Sequence, residues 1–228
     1  MPRTARIAPG GVCFHVLNRG VLRQTLFRSH KDYLAFLAAL RETLEAMPTM
    51  RLLAFCLMPN HWHLVLWPAA DGDLARFMLR LTITHVRRWA ELHGRVGQGH
   101  VYQGRYKSFA AESNDHLANL IRYVERNALR ANLVRRAERW LYSSLGQQCL
   151  DPAELRVPVS AWPIPRRRDW VEWVNQPQTA AEEAAIQRCI CQNRPYGSER
   201  WIARAMIKLG WREPLPRGRP RKRKATRK

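Results

Sequence analysis

Two histidines, His61 and His63, sit two residues apart in the apolar run LMPNHWHLVLW (residues 57–67). In an extended strand, residues i and i+2 project from one face, so the imidazoles stand side by side. Trp62 between them faces the other way, as do Leu64 and Leu66 beyond. A neutral imidazole is a versatile ligand for divalent ions, and two on a stiff strand form half of a metal site. The same pair is compatible with two hydrogen-bonded core histidines, so the metal reading requires a third donor elsewhere. A zinc-bound structural site is disfavoured, because no cysteine lies near the pair in sequence.

The segment SNDHLANLIRYVERNALRANLV (residues 113–134) offers such a donor. Its helical projection separates an apolar stripe of Leu117, Leu120, Ile121, Val124, Ala128 and Ala131 from a polar one of His116, Asn119, Tyr123, Asn127 and Arg130. Tyr123 borders the buried face, where packing clamps its ring and leaves its hydroxyl reachable. Asn127 projects beside it one turn later, a candidate oxygen ligand. A boundary tyrosine with a solvated asparagine is the alternative.

The elements that must hold these residues read as α+β. GVCFHVLNRG (11–20) is strand-like, with Val12, Phe14 and Val16 on one face, His15 on the other and Gly20 closing it. A helix opens at a capping Ser29 and stops by Pro48, with Leu34, Leu37, Leu40 and Leu44 at helical spacing. MRLLAFCLMPNHWHLVLW reads as a hairpin turning at Pro59 and Asn60. A long amphipathic helix spans about Asp73 to His93, and a loop rich in Gly94, Gly97 and Gly99 follows it. YQGRYKSFAAE is strand-like, and the Tyr123 helix comes after. Strand, helix, two strands, helix, strand, helix predicts a ferredoxin-like antiparallel sheet with helices packed on it. Beyond residue 150 the prolines 152, 158, 163 and 165 mark a linker over 151–177. A small helical extension over 178–211 and a basic tail over 212–228 complete the chain.

Charge narrows the class of partner. Lys and Arg outnumber Asp and Glu by 39 to 18 in 228 residues, a net +21 that points to a polyanion, nucleic acid first. An apolar share of 46% belongs to a packed protein. No apolar run approaches a membrane span and the first residues lack a secretory core, so a cytoplasmic, nucleoid-associated protein without membrane contact is expected. Five scattered cysteines without paired CxxC spacing argue for free thiols.

Taken together, HVLNRG, RQTLFRSHKDYLAFL, LMPNHWHLVLWP, VYQGRYKSF, LIRYVERNALRANLV and RAERWLYSSLG resemble, in order, the motifs of the HUH single-tyrosine transposases. Within them the chain resembles the REP-associated tyrosine transposases from residue 12 to about 146, and its carboxyl-terminal extension is also similar to theirs. The chain departs from the family pattern at Ala128, where Pro is usual, at Asn132 for Gly, at Tyr102 for Trp, and at Tyr142, which replaces another aromatic. None of these removes a catalytic group. The resemblance implies cutting and joining of single-stranded DNA at palindromic hairpins. Tyr123 would be the nucleophile that forms a 5′-phosphotyrosine, and His61, His63 and Asn127 the ligands of Mg²⁺ or Mn²⁺. A monomer is expected, since members with a complete site in one chain act singly. A catalytically idle DNA-binding regulator derived from such an enzyme is the other functional reading.

Substrate contacts are expected from Arg105 and Lys107 beside Tyr102 and Tyr106, a basic strand face suited to phosphates and base stacking. Arg122, Arg126 and Arg130, close to Tyr123, are expected to steer the DNA backbone. In the tail, Arg217-Gly218-Arg219-Pro220 resembles an AT-hook core, whose flanking arginines suit a narrow minor groove in A/T-rich duplex DNA. A solvated basic strand and a tail that binds any polyanion are the plainer readings of these two features.

Overall fold

The computed structural model describes residues 7–150, 153 and 156–211. Four strands, β1 (Cys13–Arg19), β2 (Arg51–Met58), β3 (His61–Trp67) and β4 (Lys107–Ala111), form one antiparallel sheet in the order β2-β3-β1-β4. Helix α1 (His30–Ala46) joins β1 to β2, and α2 (Asp73–Leu92) joins β3 to β4. This is the ferredoxin-like arrangement. Strands β2 and β3 turn on Pro59 and Asn60 alone, pairing Met58 with His61. Ser29 and Asp32 form a reciprocal capping box at the start of α1.

Alternation along the strands divides the molecule into two cores. Phe14, Val16, Phe55, Leu57, Trp62, Leu64 and Leu66 pack against α1 and α2 through Phe36, Leu40, Phe77 and Leu81. Cys13, Ala54, Cys56, Val65 and Phe109 on the opposite face meet α3 (Asp115–Glu125) through Leu117, Leu120, Ile121 and Val124. Each large apolar side chain so buried contributes about 1.5–3 kcal/mol. The histidine face is the one under α3, so the sheet's pleat aims the imidazoles at the Tyr123 helix.

That helix is interrupted. α3 ends at Glu125, and a single turn, α4 (Asn127–Arg130), resumes after Arg126. The Asn127 amide donates to the carbonyls of Tyr123 at 2.9 Å and Val124 at 3.3 Å, competing for acceptors that a regular helix reserves for its own N–H groups. Asn132 takes the left-handed conformation (φ 55°), with Leu133 N–H bonded to Ala128 and Asn132 N–H to Leu129. This is a Schellman stop, with asparagine serving where glycine is usual.

Two expectations change. Only Lys107–Ala111 of YQGRYKSFAAE is a strand; Tyr102 makes one isolated bridge to Gly20 and the rest of the segment is loop. Residues 156–177 do not behave as a free linker. Ser160 N–H bonds to Leu52 and the Trp162 indole to Leu53 along the outer edge of β2. Trp170 and Val174 of α6 (Trp170–Asn175) enter the second core. Tyr196, between α7 (Ala180–Gln192) and α8 (Glu199–Lys208), exchanges backbone bonds with Ala110 and Glu112 at the edge of β4. Both open edges of the sheet are thus covered by later chain, which blocks edge-to-edge pairing and seats α7 over α3. A short helix α5 (Ser144–Leu150) packs at β2, its Ser144 hydroxyl reaching the buried Glu125 carboxyl at 2.7 Å. Among the described residues no helix is long and apolar enough to cross a membrane, and all five cysteines are free.

Candidate active site

His61 and His63 open β3 and share the face toward α3, their ring centroids 4.9 Å apart. His63 is buried and lies edge to face with Tyr123, centroids 6.0 Å apart. Its Nδ1 is 2.9 Å from Nε2 of His15, a third imidazole that β1 brings to the same face. The Nε2 of His63 has no partner although it is buried. His61 is less enclosed and meets the Asn60 side chain through Nδ1 at 2.6 Å. Burial above all disfavours charge here: His61 is pushed down to about 4 and His15 to about 3, and His63 lies well below its ordinary value. All three are neutral imidazoles near pH 7, the form that ligates metal.

Tyr123 is only 2% exposed. Its hydroxyl accepts from Arg130 at 3.2 Å and from the Gln187 amide at 2.7 Å, and Gln187 belongs to α7. The reachable hydroxyl expected from the helix projection is therefore covered, because a helix more than fifty residues later docks across it. Burial raises the Tyr123 pKa, and the Arg130 guanidinium opposes that rise. Arg130 also donates to Asn127 Oδ1 at 2.7 Å and pairs with Glu183 of α7 at 3.8 Å.

A divalent cation fits the imidazole pair. The orphaned His63 Nε2 is a buried atom with nothing to bond, and if it presents a lone pair, its Nδ1 proton is donated to His15 Nε2. The Asn127 oxygen, the third donor expected from the sequence, is taken up by Arg130 at 2.7 Å. No group of three or more His, Cys, Asp or Glu suited to metal occurs among the described residues.

The residues expected to contact DNA divide into three groups. Arg105 is exposed and lines a cavity of about 1100 Å³ between α2 and the loop over 99–106, on the sheet face away from the histidines. Lys107 is exposed on edge strand β4. Tyr102 must be corrected: it is buried, its hydroxyl accepting from the Trp62 indole at 2.9 Å and meeting His85 Nδ1 at 2.6 Å, so its ring is not free to stack on a base. Arg122 must also be corrected. It is 4% exposed and donates to the carbonyls of Trp173, Gln176 and Pro177, locking α3 to the α6–α7 connection. Arg126 donates to the Gln176 carbonyl, and Arg130 is held as described. Arg217 and Arg219 lie outside the described residues. Sequence reasoning missed His15, Arg19 and Gln187; alternation put His15 opposite Val12, Phe14 and Val16, strand pairing alone puts it and Arg19 on the His63 face, and nothing local marked Gln187.

Residues 11–127, spanning both histidines, Tyr123 and Asn127, match the family described as transposase IS200 like. The chain belongs to the IS200-like transposase family. Among solved structures it is similar to a REP-associated tyrosine transposase bound to a REP hairpin. That match has a TM-score of 0.53 and 17% identity over 73% of this chain and 98% of that one, a likeness that shows a shared fold. A candidate transposase from Deinococcus radiodurans R1 aligns at 16% identity over 56% of this chain and 95% of that one; its TM-score of 0.39 is too low to carry an argument. No curated protein matches the chain.

Proposed function

We propose that this transposase-family protein cuts and rejoins single-stranded DNA at palindromic hairpins, with Tyr123 as the nucleophile and a divalent metal as cofactor. One observation carries the reading: the orphaned, buried imidazole of His63 faces the Tyr123 ring within a single chain, so a complete site needs no second copy and the protein acts as a monomer. Hairpin DNA is supported as substrate by the REP hairpin bound to the neighbour of the same fold.

His61 and His63, with Asn127, would hold Mg²⁺ or Mn²⁺, which supplies neutralisation of charge on the scissile phosphate. The chain's own residues do the rest. Arg130, 3.2 Å from the Tyr123 hydroxyl, favours the phenolate against burial. The Tyr123 oxygen bonds to phosphorus as the P–O3′ bond breaks; the phenol proton leaves and the departing 3′-oxygen takes one up. The 5′-phosphotyrosine stores the bond energy, so another 3′-hydroxyl can reverse the step without ATP. Cleavage requires α7 to move off Tyr123.

The test is incubation of a labelled hairpin, with single-stranded flanks copied from inverted repeats beside the gene, with protein and Mn²⁺. A denaturation-resistant protein–DNA adduct is expected, and Tyr123→Phe should abolish it while retaining binding. A normal adduct yield in that variant refutes the assignment. The second reading, a catalytically idle DNA-binding regulator, draws support from Tyr123 and Asn127 both being engaged by Arg130, with α7 closed over the hydroxyl. Wild-type protein that binds the hairpin and yields no adduct in any divalent ion establishes that alternative.

A further inference from the structure

Arg19 ends β1 directly opposite His61 on β3. Residues opposite one another in an antiparallel pair project to one face, so its side chain leaves the sheet on the same side as His61, His63 and His15. Arg19 is half-buried, and its Nε is a buried donor with no partner. No carboxylate among the described residues forms an ion pair with it. The other arginines of the site differ in this respect: Arg122 and Arg126 are held by carbonyls, and Arg130 by Tyr123, Asn127 and Glu183.

An unpaired guanidinium on the strand position opposite His61, on the imidazole face of the sheet, is suited to one kind of visitor. The planar fork binds phosphate oxygens by parallel N–H bonds, and a half-buried donor that nothing in the protein satisfies is stabilised when an anion arrives. The strand end is held in place. Gly20 donates its N–H to the Asn60 carbonyl at 2.9 Å, and a Cβ there would fall 2.5 Å from the Gln24 carbonyl oxygen. The Arg19 carbonyl accepts from Gln103 at 2.9 Å.

We propose that Arg19 is a further catalytic residue, a phosphate-binding arginine that contacts a non-bridging oxygen of the scissile DNA phosphate from the β1 side of the site. The assignment rests on the cleavage reaction proposed above. Charge accumulating on the phosphoryl oxygens during attack by Tyr123 is met there by a cation carried on a strand end whose backbone is held in place.

Two measurements test it with the same hairpin probe. In the first, adduct rates are compared for wild type, Arg19→Gln and Arg19→Lys with phosphorothioate of each configuration at the scissile position. Arg19→Gln should lose about 10²–10³-fold in rate with hairpin affinity little changed, Arg19→Lys should recover part of it, and the wild-type preference between the two sulfur isomers should weaken in Arg19→Gln. A wild-type rate or an unaltered preference in Arg19→Gln overturns the proposal and leaves the function standing. The second measurement needs no turnover and keeps Arg19 intact: the Arg19 Nε–H resonance is followed in Tyr123→Phe protein as hairpin is added. It should move with a normal diester and stay in place when the scissile linkage is a neutral methylphosphonate. Equal movement with both linkages, or none, overturns the contact. If the resonance responds as expected while wild type forms no adduct, the cleavage reading falls and the phosphate contact stands.

Discussion

Release of α7 should accelerate covalent adduct formation, and Gln187 is the place to test it. Its amide donates to the Tyr123 hydroxyl at 2.7 Å across a part-buried contact, and no other hydrogen bond joins α7 directly to the nucleophile among the described residues. Such a bond contributes about 0.5–1.5 kcal/mol net, because opening returns both groups to water. In a closed-to-open equilibrium dominated by the closed form, Gln187→Ala therefore raises the open population about 2- to 13-fold, and the adduct rate with it. Removing Glu183 as well, which pairs with Arg130 at 3.8 Å with both side chains about one-third exposed, should add no more than about fivefold. The assay is the initial rate of adduct formation under saturating hairpin and Mn²⁺, read beside amide hydrogen exchange over residues 180–192. Faster exchange with a proportionally faster rate fits a gate. Faster exchange with an unchanged rate refutes the reasoning, since α7 would then open without limiting access to Tyr123.

Three further outcomes are expected. His15→Phe should weaken Mn²⁺ binding about 10- to 100-fold in calorimetry without DNA, because His63 loses the 2.9 Å partner that fixes its ring and tautomer; unchanged affinity would remove His15 from the site. His85, buried and pushed down to about 3 from an ordinary 6.5, must gain a proton on unfolding in mild acid, so its contribution is complete above pH 6.5 and is lost as pH falls toward 3. Urea unfolding of wild type should lose about 2 kcal/mol more between pH 7.5 and 5 than that of His85→Gln, and parallel pH profiles would contradict this. Deleting residues 212–228 should weaken duplex affinity and reduce the salt slope by about one for each phosphate that the tail neutralises; an unchanged slope means the tail does not touch DNA.

The parts of this molecule legible in its sequence were those decided by local periodicity. Alternation placed His61 and His63 on one face and Trp62 on the other, and helical spacing put Tyr123 and Asn127 one turn apart; the sheet and α3 then bring His63 and Tyr123 into ring contact. Alternation also put His15 on the face away from Val12, Phe14 and Val16, but only the pairing of β1 with β3 shows that this face, with Arg19, is the histidine one. What remained illegible depends on contacts between distant segments. Arg122 reads as an exposed basic residue of a DNA-facing helix until Trp173, Gln176 and Pro177 surround it, and Tyr102 reads as a stacking platform until Trp62 and His85 claim its hydroxyl.

The same distinction bears on how the site works. Gln187 and Glu183 sit on a helix whose own pattern says nothing of catalysis, and they engage the Tyr123 hydroxyl and Arg130, groups the Tyr123 helix would otherwise expose. On the proposed function, Glu183 in the acidic first turn of α7 occupies positive charge on Arg130 that a phosphate backbone would use. A strand of DNA entering toward Arg19 and the histidines therefore meets α7 as a rival with fewer charges. Because Arg19 itself has no acidic partner on α7, it is available to the incoming phosphate before the helix gives way. On the proposed function, displacement would begin at Arg19 and end at Tyr123, so that hairpin engagement uncovers the nucleophile.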